Sequence, residues 1–137
     1  MAGDYSFYQR TFGRVSSEYD LAAATGGPVT DLLTSKSANH QIFVQRIVVC
    51  PFTYSNKTLT FQDDAGTPVI LAFQTIPASG PSTSGLQHFE HDFGPLGCSI
   101  TKGTNLDLVL SGAGVAGKIT IEGYQKLIGP VAAASTN

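Results

Sequence analysis

Between Val29 and Tyr124 the chain reads as about eight short strand-like segments, with turn signals roughly every 8–12 residues. The strongest is Gln41-Ile42-Phe43-Val44-Gln45-Arg46-Ile47-Val48-Val49-Cys50, rich in β-branched residues and almost continuously apolar. A run of that kind fits a central strand covered on both faces, ending at Pro51. Lys57–Gln62 alternates, with Leu59 and Phe61 on one side. Asp63-Asp64-Ala65-Gly66 supplies a turn, and Pro68–Phe73 returns as the second strand of a hairpin. Shorter segments follow at Leu86–Phe93, Cys98–Thr101, Asn105–Leu110 and Lys118–Tyr124, and Val29–Thr34 precedes the long run. The pattern predicts an all-β fold, a jelly-roll-like antiparallel β-sandwich. Its core is expected to hold Ile42, Val44, Ile47, Val49, Leu59, Phe61, Leu108, Leu110, Ile119 and Ile121.

Residues 1–28 differ from the rest. Tyr5-Ser6-Phe7-Tyr8-Gln9-Arg10-Thr11-Phe12 is dense in aromatics and does not alternate cleanly. Ser17–Ala24 suggests a short helix, with Ser16 or Ser17 as cap, acids in the first turn and Gly26-Gly27-Pro28 as the stop. The expected organisation is therefore an N-terminal arm over 1–28, a sandwich over 29–128 and a mobile small-residue tail over 129–137.

Composition narrows the function classes. The 137 residues suit one domain with its own core. Only 13% are charged and the net charge is −2, against about 25% charged in an average domain. A surface so weakly charged favours association and lacks the clustered Lys and Arg that nucleic acid requires. No apolar run approaches the roughly 18 residues of a membrane span, and Met1–Tyr5 has no signal-peptide character. No nucleic-acid or membrane partner is expected. Cys50 and Cys98 form no C-x-x-C pair and are expected to be free, buried thiols.

The chemical motifs are weak. Gly112-Ala113-Gly114-Val115-Ala116-Gly117 spells G-x-G-x-x-G, but a strand pattern follows where a dinucleotide site needs a helix. In His88-Phe89-Glu90-His91-Asp92, the side chains of His88, Glu90 and Asp92 would share one strand face, and His91 would point with Phe89 and Phe93. Such a face can hold a metal, but the outer face of a half-buried strand is polar in any case. The expected reading is a solvated or interfacial face, with no metal and no cofactor. His40 has no nucleophile motif around it, and Asp63 with Asp64 is too little for a calcium loop. No catalytic residue is assigned. The residues expected to contact a partner lie in the arm: Tyr5, Phe7, Tyr8, Arg10, Phe12 and Arg14. Aromatics and Arg are enriched at interface cores, and an isolated arm has too little surface to bury four rings against itself. Folding back over its own sandwich is the alternative.

Asn39–Ile47, Leu59–Asp63, Phe93-Gly94-Pro95-Leu96-Gly97 and Gly117–Tyr124 together resemble the small jelly-roll decoration, or cement, proteins of tailed-bacteriophage capsids. The likeness covers about two-thirds of the chain, from Ser37 to Leu127, and rests on strand and turn patterns. It implies a homo-oligomer, dimer or trimer, made in the host cytoplasm and bound to the major capsid protein on the outer capsid surface of the virion. A tail or fibre module that binds carbohydrate or a receptor is the second reading, though the chain has no Trp to serve as a sugar platform. A small β-barrel enzyme is the third.

Overall fold

In the computed structural model the described residues are 5–21, 27–78 and 88–128. One short helix, α1 (Tyr5–Phe12), precedes nine strands. They are β1 (Arg14–Asp20), β2 (Gly27–Leu33), β3 (His40–Pro51), β4 (Lys57–Asp63), β5 (Ile70–Ile76), β6 (Phe89–Asp92), β7 (Cys98–Ser99), β8 (Leu106–Leu110) and β9 (Gly117–Leu127). All pairings are antiparallel.

Sheet A has the order β1-β9-β3-β6, with β7 also pairing β3, and sheet B has the order β2-β8-β4-β5. The pairs β1·β9, β2·β8, β3·β6/β7 and β4·β5 nest one inside the next. That nesting is one long hairpin wrapped around itself, which is the jelly roll. The sequence expectation of a jelly-roll-like all-β sandwich is therefore met.

Alternation explains the core. Along β3, Ile42, Val44, Ile47 and Val49 are fully buried; along β9, Ile119 and Ile121 face them across the ladder. Leu59 and Phe61 of β4 and Leu108 and Leu110 of β8 line the opposing sheet. All ten expected core residues are buried. The core also holds Leu21, Leu32, Leu33, Ile76, Ile100, Leu106 and Val115, which lie at strand ends and in connections. His91 lies with Phe89 toward the interior, and its Nε2 is 3.0 Å from Gln74 Oε1 of β5, closing the gap between the edges of the two sheets. Cys50 and Cys98 are free but only half-buried. The Gly112–Gly117 segment connects β8 to β9, so a strand follows its glycines.

Two boundary expectations need correction. Arg14–Asp20 is a strand, not the start of a helix over Ser17–Ala24; residues 22–26 lie outside the described residues. Its register with β9, Arg14↔Tyr124 to Asp20↔Lys118, places Val15, Ser17 and Tyr19 above the core. Alternation and an open ladder on β9 outweigh the local capping signal, as tertiary pairing commonly does. The sandwich consequently begins at Arg14 rather than at residue 29. The expected tail over 129–137 lies outside the described residues. No helix among the described residues is long and apolar enough to cross a membrane.

Phe61 is the largest fully buried side chain among the described residues. Phe61→Ala is expected to cost about 3–5 kcal/mol by chemical denaturation, the usual range for an aromatic cavity. A loss under about 1 kcal/mol would mean that the two sheets close over the vacated space.

Candidate functional site

The aromatic segment forms α1, and α1 lies on the outer face of sheet A. Its seat is a single irregularity in β3. The β3·β9 ladder pairs Val44 with Gly123 and then Arg46 with Glu122, so Gln45 is an extra, bulged residue. A Cβ at Gly123 would run into the carbonyl oxygen of Phe43, so glycine lets the two backbones approach there.

Gln45 is fully buried, and each polar group of its side chain is used. Its Nε2 donates to the carbonyls of Pro95 (2.6 Å) and Tyr5 (3.0 Å), and its Oε1 accepts from Gln9 Nε2 at 2.8 Å. Gln9 Nε2 also donates to Glu122 Oε1 at 3.1 Å. One amide thus joins the bulge, the turn between β6 and β7, and the helix. A buried polar group is tolerated on these terms because its bonds replace those lost to water.

The aromatic rings complete the contact. Tyr124 of β9 is buried, stacks on Phe43 (centroids 4.9 Å), Tyr8 (5.4 Å) and Phe12 (5.7 Å), and donates its hydroxyl to the Leu96 carbonyl at 2.6 Å. Burial pushes its hydroxyl above the usual tyrosine range. Lys126 Nζ sits 4.9 Å from the Phe12 centroid and 5.6 Å from that of Phe43. Gly13, at φ +122°, ends the helix; its N–H donates to the Gln9 carbonyl and its carbonyl accepts from Gln125 N–H.

Polar contacts fix the other end of α1. The Tyr5 hydroxyl donates to Asp92 Oδ1. That bond and the Gly94 N–H hold the Asp92 carboxyl below its usual range. Arg46 bonds Glu122 at 2.6 Å and Glu90 at 3.4 Å and lies 5.9 Å from the Tyr5 ring centroid. Glu90 and Asp92 therefore occupy one polar face, as expected, and that face serves the helix.

The six arm residues divide accordingly. Tyr5, Tyr8 and part of Phe12 pack on their own sheet. Phe7, 49% exposed, and Phe12, 42% exposed, present ring surface outward. Arg10 donates to Ser6 Oγ within the helix, and Arg14 belongs to β1, where it donates to Ser16 Oγ. The arm folds back, but it does not bury all its aromatics.

No protein-family model matches the chain, and no curated protein does.

A second polar cluster lies at one end of sheet B. Carboxylate oxygens of Asp31, Asp64 and Asp107 fall within 4.8 Å of one another. Three oxygens at that spacing suit a hard cation in principle. One oxygen of each is already engaged by the protein: Asp107 Oδ1 accepts Asp31 N–H, Asp64 Oδ1 accepts Asn105 N–H, and Asp31 Oδ1 accepts Asn105 Nδ2. The cluster ties the left-handed Asp31 (φ 63°) and the loop before β8 to each other. Asp63, fully buried next to it, accepts the N–H groups of Ala65, Val69 and Thr101. At a third place, Ser37 Oγ lies 2.7 Å from His40 Nδ1, but the same hydroxyl accepts Asn39 N–H, and the pair closes the turn into β3.

Nothing in a lone glutamine inside an apolar strand marks Gln45 except its breach of strict alternation, and Gln9 has no sequence signal either. The acidic cluster joins residues from three separated segments and has no local signature.

Gln45→Leu keeps the volume but leaves the Tyr5 and Pro95 carbonyls without their donor and Gln9 with Glu122 alone. The expected cost is about 2–4 kcal/mol, together with loss of amide protection across α1 in hydrogen exchange. Unchanged protection would show that the ring stack alone holds the helix.

The acids make a pH prediction. Burial, then the charges of Asp64, Asp31 and Asp63, hold the Asp107 carboxyl above its usual range, against the pull of Asp31 N–H. A raised carboxyl favours the fold at low pH, and that contribution is lost as pH rises through the folded value. Asp107→Asn should therefore raise the melting temperature at pH 7, and the gain should shrink toward pH 4. Asp63 behaves oppositely. Burial pushes its carboxyl up, but bonds from Thr101, Val69 and Ala65 outweigh burial and hold it low. Its contribution is present above the unfolded carboxyl value and is lost as pH falls through the folded one, below about pH 4. Thermal melts of both Asn variants across pH 3–8 test the two signs.

Proposed function

We propose that the chain is a structural decoration protein that binds the outer surface of an assembled viral shell and stabilises it. The observation that carries this reading is the helix α1, already ordered on sheet A, with Phe7 and part of Phe12 facing outward beside Arg10. A free arm would lose backbone freedom on docking, at about 1–2 kcal/mol per residue. A helix held by Gln45 and Tyr124 has met that cost during folding, so its exposed rings act as preorganised anchors. Each half-exposed Phe offers roughly 100 Å² for burial, about 2–3 kcal/mol. That is weak for one copy and useful for many.

The partner is the major capsid protein, and the effect is linkage. A protein that binds the assembled shell and not the free subunit shifts assembly by mass action. Contacts to neighbouring subunits, repeated over the shell, add avidity. The low charge, 13% of residues, suits a close fit without strict charge matching.

The test is co-sedimentation with shells assembled from the major capsid protein of the same genome. Binding should saturate, be absent with unassembled subunits and raise the shell's melting temperature. Phe7→Ser should reduce occupancy at least tenfold while leaving the monomer's melting temperature within a few degrees. Absence of co-sedimentation at tens of micromolar would overturn the reading, and binding to glycans instead would place the chain with tail or fibre modules.

A further inference from the structure

The rings that α1 turns outward do not stand alone. Arg10 follows Phe7 by three residues, which sets the two side by side on the helix. Lys126 Nζ stands 4.9 Å from the Phe12 ring centroid. Arg14 pairs with Tyr124 across the β1·β9 ladder, so it shares the outer face of sheet A with the ring stack. Three of the chain's eight Lys and Arg residues thus border Phe7 and Phe12.

None of the three forms an ion pair among the described residues; the ion pairs found there belong to Arg46. Arg10 and Arg14 reach the hydroxyls of Ser6 and Ser16, and Lys126 lies over the rings of Phe12 and Phe43. The acids that border the helix are already engaged: Glu122 by Arg46 and Gln9, Glu90 by Arg46, and Asp92 by Tyr5. Glu18 comes next on that face of β1, four residues beyond Arg14, or about 13 Å along the strand. Asp20 follows it, opposite Lys118.

The occupant follows from desolvation. A partner that covers Phe12 also takes Lys126 out of water, and one that covers Phe7 takes Arg10. A buried cation without a counter-charge costs more than a half-exposed ring contributes. A neutral apolar partner would leave these cations unpaired. We propose that the α1 face docks an acidic protein surface, one that sets carboxylates against Arg10, Arg14 and Lys126 around an apolar seat for Phe7 and Phe12. A phosphate polymer fits less well, because it tracks longer runs of Lys and Arg and this sheet face turns acidic at Glu18 and Asp20. A bilayer fits less well too, since two half-exposed rings on an eight-residue helix fall short of the apolar face of an interfacial helix.

The inference rests on the decoration reading for the identity of the partner and adds the chemistry of the shell surface. With a net charge of −2 the chain as a whole does not attract an acidic partner. The attraction is local to the α1 face, and it fixes which side of the sandwich turns toward the shell.

The experiment has two arms. In the first, poly-L-glutamate of about 20 residues is titrated into the isotope-labelled full chain at about 20 mM salt, where screening is weak. Amide resonances of Ser6–Arg14 and Tyr124–Lys126 should shift and saturate, while those around Lys57 and Lys102 stay in place. Arg10→Glu should weaken the binding about tenfold; Lys102→Glu, with the same change in net charge, should stay within about twofold of the wild type. Absence of a localised shift overturns the proposal, as do equal shifts around Lys57 and Lys102. Tighter binding of oligothymidylate or of phosphatidylserine vesicles at the same face also overturns it. Should Arg10→Glu lose amide protection across α1, Arg10→Gln decides, with an expected loss of about threefold; an unchanged affinity overturns the proposal. The second arm is co-sedimentation with the assembled shells. Arg10→Glu and Lys126→Glu should each lower occupancy about tenfold, and wild-type binding should weaken between about 50 and 300 mM salt. Occupancy unchanged by both reversals overturns this inference and leaves the decoration reading standing. A wild type that ignores shells but saturates with poly-L-glutamate at the α1 face does the reverse.

Discussion

The structure depends on the ladder between β3 and β9. It runs from His40↔Leu127 to Pro51↔Gly117 and joins the middle of the chain to its end. Every other strand of sheet A pairs with one of these two. The inward residues of both strands form one wall of the core, and their outward residues form the bed for α1. A regular ladder would have given that bed a flat row of side chains. The extra residue at Gln45 breaks it at one place, and a buried amide there can bond in three directions. The bulge thus converts a uniform sheet face into an address for one helix. An apolar residue at 45 could fill the space, but it would leave the Tyr5 and Pro95 carbonyls unpaired and would not choose between helix positions.

That address makes the two faces of the sandwich unlike. Sheet A is covered, and its cover displays aromatic surface in a fixed orientation. Sheet B is bare among the described residues and ends in an uncharged strand. Both surfaces are apolar, but they reach exposure differently. The helix is held by polar bonds and ring stacking against its own fold. β5, at the edge of sheet B, carries no charge, and Ile70 and Phe73 project from it.

Period-two alternation made the core legible. Ile42, Val44, Ile47 and Val49 announce their face, and so do Leu59 with Phe61 and Ile119 with Ile121. Turn residues located the hairpin of β4 and β5 to within about three residues. What alternation could not show is pairing across the whole chain. Arg14–Asp20 has only Val15 and Tyr19 as apolar inward residues, and its serines and acids mimic a helix start. α1 is illegible as a helix for the opposite reason: Tyr5–Phe12 carries four aromatics and Thr11, none of them a strong helix former, and has no acid in its first turn. Its conformation is chosen by Gln45, Tyr124 and Asp92, which lie 30 or more residues away. The acidic cluster failed for the same reason, being assembled from three separated segments.

The nested topology also orders events in folding. The β4·β5 pair closes the shortest loop, while β1·β9 joins Arg14 to Tyr124. Closing a loop costs entropy that grows with its length, so the inner hairpin is expected to form early and the outer pair late. α1 needs β9 for Tyr124, β3 for Gln45 and the β6–β7 turn for the Pro95 carbonyl that shares the Gln45 amide. Its seat therefore exists only when sheet A is complete. Phe7 and Arg10 reach their outward arrangement last of all, on a finished sandwich. On the proposed reading, an anchor built in this way is withheld from partially folded chains, whose exposed strands would otherwise meet partner surfaces with the wrong face. The same dependence ties the seating of α1 to the β3·β9 ladder: whatever loosens that ladder is expected to release the helix.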